Sequence, residues 1–290
     1  MSRIKKIQQL FLITAICIGC ILLSFFIGAK SYAETDLIPE ENTKIPILMY
    51  HHLVESGEAS GVTITEKRFR EHMKYLNENG FTALLPIDLL LIKNNEMDMP
   101  KNPVMITFDD GYESNYKIAY PILKDNNMKA TIFVIVKNMN KKVNGHVPKL
   151  TWDQMEEMYK SGYIDIQSHT YNLHNSDSDG EHVNLASNGI QRGLVESCAQ
   201  YQFRLEEDAA LSIKYIEKNV GNKVFCLAYP YGAFDPWCME ALERQGIIFG
   251  FMVENEMADL NDNLYCLKRF NIGMSSDLSK ILIVNEDMYY

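Results

Sequence analysis

Two carboxylates, Asp109 and Asp110, stand side by side where an apolar run from Pro103 to Phe108 ends, in the order Thr107-Phe108-Asp109-Asp110-Gly111-Tyr112. Neighbouring carboxylates repel, and their joint ionisation is costly unless they share a cation or one of them takes up a proton. Alone, an Asp-Asp-Gly run is more often a turn than a site. A second apolar run closes at Ser168 and delivers His169 and, five residues later, His174. Two imidazoles and one carboxylate are a frequent ligand set for zinc and similar ions, and they leave positions open for water and substrate. Asp110, His169 and His174 form such a set. A third cluster, Ala228-Tyr229-Pro230-Tyr231-Gly232, also follows an apolar run. Its Pro and Gly bracket a tight turn whose N–H groups can face a ligand, and Tyr231 offers a flat face suited to sugar.

The elements that must bring these clusters together alternate along the chain. Ile45 to His51 reads as a buried strand. Thr63, with Glu66 three residues on, reads as the capping box of a helix that buries Phe69, Met73 and Leu76 and stops at Gly80. Strands are expected over 103–108, 130–136, 163–168, 224–229, 247–253 and 265–272. Between them lie a helical stretch through Ile118, Ile122 and Leu123 interrupted by Pro121, and a helix capped by Thr151 and Gln154. A further helix runs from about Leu205 to Asn219, and another is capped by Asp235 with Pro236 at its first position. The polar run from Asn175 to about Phe203 has no strong period and reads as a long surface loop. Strand followed by helix over this length predicts an α/β fold with a parallel sheet, open or closed into a barrel. Chemistry in such folds gathers at the carboxyl ends of the strands, where all three clusters lie.

With 290 residues, 47% of them apolar and 23% charged, disorder is excluded and a single domain is the starting expectation. The net charge of −10 argues against nucleic acid as the main partner. Arg3, Lys5 and Lys6 precede 20 uncharged, mostly apolar residues from Leu10 to Ala29. Residues 1–33 are therefore expected to be a signal peptide or an N-terminal membrane anchor, with Ser31 and Ala33 as a small-x-small cleavage site. Everything after them would lie outside the cell membrane, secreted or anchored. Residues 34–44 read as a polar tether and 45–290 as the catalytic domain. Cys198, Cys226, Cys238 and Cys266 permit up to two disulfides in any of three pairings, and nothing in the sequence selects one of these or favours pairing over buried thiols.

The residues Ile47 to His52, the Thr-Phe-Asp-Asp-Gly-Tyr run, Ser168-His169-Thr170 with a second histidine at 174, and Ala228-Tyr229-Pro230-Tyr231-Gly232 resemble the polysaccharide deacetylases of the NodB-homology family, carbohydrate esterase family 4. The resemblance covers about residues 45 to 275. The N-terminal Tyr-His-His and the histidine interval are closest to the poly-β-1,6-N-acetylglucosamine deacetylase branch. The resemblance implies a distorted (β/α) barrel with about seven parallel strands. It also implies one divalent ion on Asp110, His169 and His174, zinc first, with cobalt or nickel as alternatives. The implied activity is hydrolytic N-deacetylation of N-acetylglucosamine units in a cell-envelope or exopolysaccharide. Asp109 would be the base acting on a metal-activated water, and the Tyr231 N–H would help hold the oxyanion. Tyr112, Pro230, Tyr231 and His52 would contact the substrate. The only expected partners are the N-acetylated polysaccharide and, if the first segment is uncleaved, the membrane.

Two departures from the family pattern matter. Many members carry an Arg two residues before the motif proline, where this chain has Ala228, and Arg269 is the substitute expected to orient the catalytic aspartate. Many also place an acid histidine in a C-terminal Leu-x-His motif, yet no histidine follows His182. In the branch that this chain resembles, the N-terminal strand supplies that acid. Adjacent strand residues point to opposite faces, so only one of His51 and His52 can serve, and His51 is favoured. The rival readings are an O-acetyl carbohydrate esterase and a catalytically silent carbohydrate-binding protein of the same fold.

Overall fold

Seven short strands, all but the last of them buried, pair side by side into one parallel sheet. They are β1 (Ile47–Tyr50), β2 (Pro103–Phe108), β3 (Ala130–Val134), β4 (Ile164–Ser168), β5 (Cys226–Ala228), β6 (Phe249–Phe251) and β7 (Phe270–Asn271). The computed structural model describes residues 43–57, 60–140, 147–174, 189–193 and 195–282. Strand order is β6-β5-β4-β3-β2-β1-β7, and Thr82–Ala83 adds a short parallel pairing to the start of β2. Leu267 bridges in parallel to Phe251 of β6, while Phe270 and Asn271 pair with Leu48 and Met49 of β1. One short stretch of chain thus contacts both edges of the sheet and curls it into a distorted barrel, as the family resemblance implies. Lys44–Ile45 pairs antiparallel with Ala258–Asp259.

Among the described residues the α-helices are α1 (Glu66–Glu78), α2 (Pro86–Lys93), α3 (Tyr120–Asp125), α4 (Trp152–Lys160), α5 (Cys198–Val220), α6 (Met239–Arg244) and α7 (Leu278–Leu282). Alternate strand residues, among them Ile106, Phe108, Ile132, Val134 and Ile166, share one core with Phe69, Met73 and Leu76 of α1 and Met155 and Met158 of α4. The period of two in the strands and of three to four in the helices gives each element one face for this core. The other strand face carries Thr107, Phe133 and Phe251. The rings of Phe133 and Phe251 lie 5.0 Å apart, and Phe133 stacks beneath the Arg269 guanidinium.

Several boundaries differ from expectation for local reasons. The cap of α1 is Thr65, whose hydroxyl accepts from the Arg68 N–H, because Thr63–Thr65 is first used as a strand against His52–Val54. The expected capping box at Thr151 and Gln154 is formed. Helix α5 begins at Cys198 rather than near Leu205, since Ser197 and Gln200 form a capping box inside the run that reads as loop. Its buried positions start at Tyr201, so the helical period was hidden by the polar residues around it. Around Pro121, residues Asn115–Ala119 form a π turn that leads into α3.

Residues 1–33 and most of the tether lie outside the described residues, as do 175–188 of the expected polar loop. Among the described residues no helix is long and apolar enough to cross a membrane. The four described cysteines are unpaired thiols, with Cys226 and Cys238 buried.

Candidate active site

Each of the three motifs leaves its strand through a residue held in the left-handed region that side chains disfavour. These are Asp110 (φ 71) after β2, Thr170 (φ 73) after β4 and Tyr231 (φ 59) after β5. A non-glycine residue there costs of order 1–3 kcal/mol, and such strain persists only where the surroundings over-determine it. The turn after Asp110 is further constrained by Gly111 (φ 65), where an added Cβ would stand 2.9 Å from a Val134 methyl.

These turns converge. Asp110 Oδ1 lies 3.5 Å from His169 Nε2 and 3.3 Å from His174 Nε2. His169 is buried and its Nδ1–H donates to the Ala228 carbonyl at 2.8 Å, which leaves the lone pair on Nε2. Burial pushes the His169 imidazole down to about 4, so it is a neutral ligand at ordinary pH. His174 Nδ1 is 3.2 Å from the Tyr231 hydroxyl, and the two rings lie 4.6 Å apart. Asp110 Oδ1 is buried and has no hydrogen-bond partner.

A carboxylate oxygen left without a donor, facing two imidazole nitrogens, fits a cation better than it fits the protein alone. Ligands about 2.1 Å from a tetrahedral ion stand about 3.4 Å apart, which matches both separations. Asp110, His169 and His174 are therefore able to hold one divalent ion, and their ligand atoms all lie within 4.8 Å of one another.

Asp109 points elsewhere. Its Oδ1 and Oδ2 each accept from Arg269, at 2.7 Å from Nη1 and 2.7 Å from Nη2. Arg269 is itself fully buried, with Nε donating to the Met252 carbonyl at 2.9 Å. Burial alone would push the Asp109 carboxyl up, but Arg269, with His169 and His51 behind it, outweighs this and holds it far below the usual carboxylate range. Burial likewise opposes ionisation of Asp110, and its neighbours His169, Lys149, His174 and His51 together still hold it low. The two adjacent carboxylates thus have different environments, one gripped by a guanidinium and one facing imidazoles.

His51 and His52 diverge as adjacent residues must. His51 acts electrostatically on both Asp109 and Asp110, and its buried Nδ1 has no hydrogen-bond partner. His52 instead has Nδ1 2.9 Å from the Ser114 hydroxyl and its ring 5.0 Å from that of Tyr112. Tyr112 lies beside the Asp110 carboxylate, and burial with that negative neighbour keeps the phenol protonated. Pro230 is buried and its carbonyl accepts from Ala233, so it shapes the turn.

Sequence reasoning missed Lys149. Its ammonium sits 3.4 Å from the centre of the Tyr112 ring, and burial lowers it to about 8. Lys149 reaches this place by an antiparallel bridge to Tyr112, a pairing with no local signature.

The polysaccharide deacetylase family model matches residues 96–249. The polysaccharide deacetylase-like YxkH of Bacillus subtilis is 34% identical over 238 residues, covering 81% of this chain and 75% of that protein. The poly-β-1,6-N-acetyl-D-glucosamine N-deacetylase of Staphylococcus aureus is 28% identical over 235 residues, covering 81% of this chain and 76% of that protein. The structure of a de-N-acetylase from Aggregatibacter actinomycetemcomitans superposes with a TM-score of 0.70 at 27% identity, covering 84% of this chain and 99% of that one. Fold, motif geometry and these likenesses agree, and the chain belongs to the polysaccharide deacetylase family.

Proposed function

We propose that this protein is a metal-dependent N-deacetylase acting on N-acetylglucosamine units of an exported polysaccharide. The observation that carries the reading is the pairing of two centres. Asp110, His169 and His174 present a carboxylate oxygen and imidazole nitrogens to one point, and Asp109 beside them is kept ionised by Arg269. A divalent ion held at that point, zinc for preference given its imidazole and carboxylate donors, supplies Lewis acidity toward a water and toward the acetamido carbonyl.

The chain's own residues do the rest. Asp109 takes the proton of the attacking water. Arg269 fixes both of its oxygens, so the base enters the reaction in one orientation, at some cost in basicity. The Tyr231 N–H stabilises the developing oxyanion from a turn that Pro230 and Gly232 shape. His51 gives a proton to the leaving amine, a role supported by its electrostatic reach to both aspartates and its unengaged Nδ1. His52, Tyr112 and the exposed ring of Tyr231 contact the sugar. The likeness to a poly-β-1,6-N-acetyl-D-glucosamine N-deacetylase supports a β-1,6-linked substrate. The apolar segment from Leu10 to Ala29 supports placement at the outer face of the cell membrane.

Acetate release from β-1,6- and β-1,4-linked N-acetylglucosamine oligomers, before and after chelation and with metal restored, tests this. Chelator-sensitive release with preference for the β-1,6 series is expected. Stoichiometric metal without release from any acetylated glycan would leave a binding protein.

A further inference from the structure

The loop that carries both histidines is braced from outside as well as by its own Leu173 N–H to Thr170 hydroxyl bond. His169, Thr170, Tyr171, Asn172, Leu173 and His174 leave β4 through the strained Thr170, and the loop's amides are satisfied largely by side chains. Two consecutive N–H groups, those of Tyr171 and Asn172, donate to Oδ1 and Oδ2 of Asp208, each at 2.8 Å. The Thr170 N–H donates to the Ser168 hydroxyl at 3.1 Å, and that hydroxyl is 2.7 Å from the hydroxyl of Ser212. The Tyr171 ring stacks on Tyr215, with centroids 5.7 Å apart and 27° between planes. Asp208, Ser212 and Tyr215 are spaced i, i+4 and i+7 on α5, so a single helix face meets the loop directly at Asp208 and Tyr215 and, through Ser168 at the end of β4, at Ser212.

Asp208 is mostly buried, and a carboxylate is an expensive group to place there. Burial pushes it up to about 6, against the two N–H groups and Arg204, which favour its charged form. A neutral residue would be cheaper, so the carboxylate is explained by what it alone can do. It offers two acceptor oxygens at the spacing of two successive amides.

We infer that Asp208 is a positioning residue for the metal ligands: by clamping the Tyr171 and Asn172 amides it fixes the loop between His169 and His174, so that both imidazoles face Asp110. This rests on the proposed metal-dependent reading. It adds a helix outside the motifs to the machinery of that site. Groups that orient metal ligands without touching the ion typically contribute 10- to 100-fold in affinity, which sets the size of the effect.

The substitution Asp208→Asn separates shape from chemistry. It preserves volume but places an NH₂ donor against one of the two backbone donors, so one bond is lost and a repulsion replaces it. Zinc affinity of the purified protein, read by competition with a chromophoric chelator, should fall about 10-fold in Asp208→Asn and about 100-fold in Asp208→Ala. The visible absorption of the cobalt-loaded protein should change with it, because the imidazole geometry changes. Ile216→Ala, a buried apolar change two turns beyond Asp208 on the same helix, should lower the melting temperature but keep zinc affinity.

Should Asp208→Ala fail to fold, Asp208→Asn carries the test. Unchanged zinc affinity and cobalt spectrum in Asp208→Asn, or an equal loss in Ile216→Ala, would overturn the inference while leaving the metal reading intact. Failure of the unsubstituted protein to bind zinc or cobalt would overturn both.

Discussion

Arg269 closes a two-bond fork on Asp109 across 160 residues of sequence, with both N···O distances at 2.7 Å and both side chains buried. A planar guanidinium matched to both carboxylate oxygens fixes orientation as well as charge. Removing the cation would strand a buried carboxylate. Arg269→Met should lower stability by about 3–5 kcal/mol. It should also raise the Asp109 pKa and move the acid limb of the rate profile upward. Denaturant unfolding and a pH–kcat/KM profile check both, and a profile unmoved by Arg269→Met would separate Arg269 from the base.

Acid stability follows from the same pair. The folded-state pKa of Asp109 lies below its unfolded value of about 3.9, so its contribution is fully present above that value and is lost as pH falls through the folded pKa. Asp109→Asn lacks this term. Its unfolding free energy should therefore decline less between about pH 5 and pH 3 than that of the unsubstituted protein. A series of denaturant midpoints over that range measures the difference.

Base and ligand roles separate by metal content. Asp109→Asn should abolish turnover while metal remains bound at one equivalent, whereas His169→Ala and His174→Ala should lose metal affinity first. Elemental analysis after gel filtration, alongside acetate release, distinguishes the two. Full rate in Asp109→Asn would remove Asp109 as the base.

His51→Ala should slow acetamide hydrolysis about 10²–10⁴-fold, the usual contribution of a general acid. It should slow hydrolysis of p-nitrophenyl acetate much less, since a stable phenolate leaves without a proton. His52→Ala should affect both substrates weakly and chiefly through KM. Equal effects of His51→Ala on the two substrates would point to binding rather than proton donation.

His52 is pushed below its ordinary value by burial first and by the charge of Lys149 second. Lys149→Met removes the second cause, so the His52 pKa should rise toward its ordinary value in an NMR titration. A pKa that stays put would leave burial as the sole cause.

Functional residues grouped in short runs are legible in the amino-acid sequence. Asp109 and Asp110, His169 and His174, and the Tyr229-Pro230-Tyr231 turn each follow a strand, and the strands themselves were readable from their apolar runs. The strand-helix alternation gave the parallel sheet. What escaped had no local signal. The start of α5 was masked by polar neighbours, although Ser197 and Gln200 mark it. Lys149 depends on a bridge to Tyr112, and Asp208 is an ordinary helix residue until the loop folds over it.

The chemistry on offer is written in the order of the amino acids: which donors exist, in what sequence, and at the ends of which strands. This is so because metal ligands and bases are specific residue types and strand ends are marked by where apolar runs stop. Which charges face each other depends on how the barrel closes and where the helices pack. Closing the barrel from β6 through Leu267 to β7 carries Arg269 onto Asp109, and α5 brings Asp208 to the histidine loop. Such pairings are set by the curvature of a sheet and the packing of helices on it, which depend on the whole chain rather than on any short segment of it.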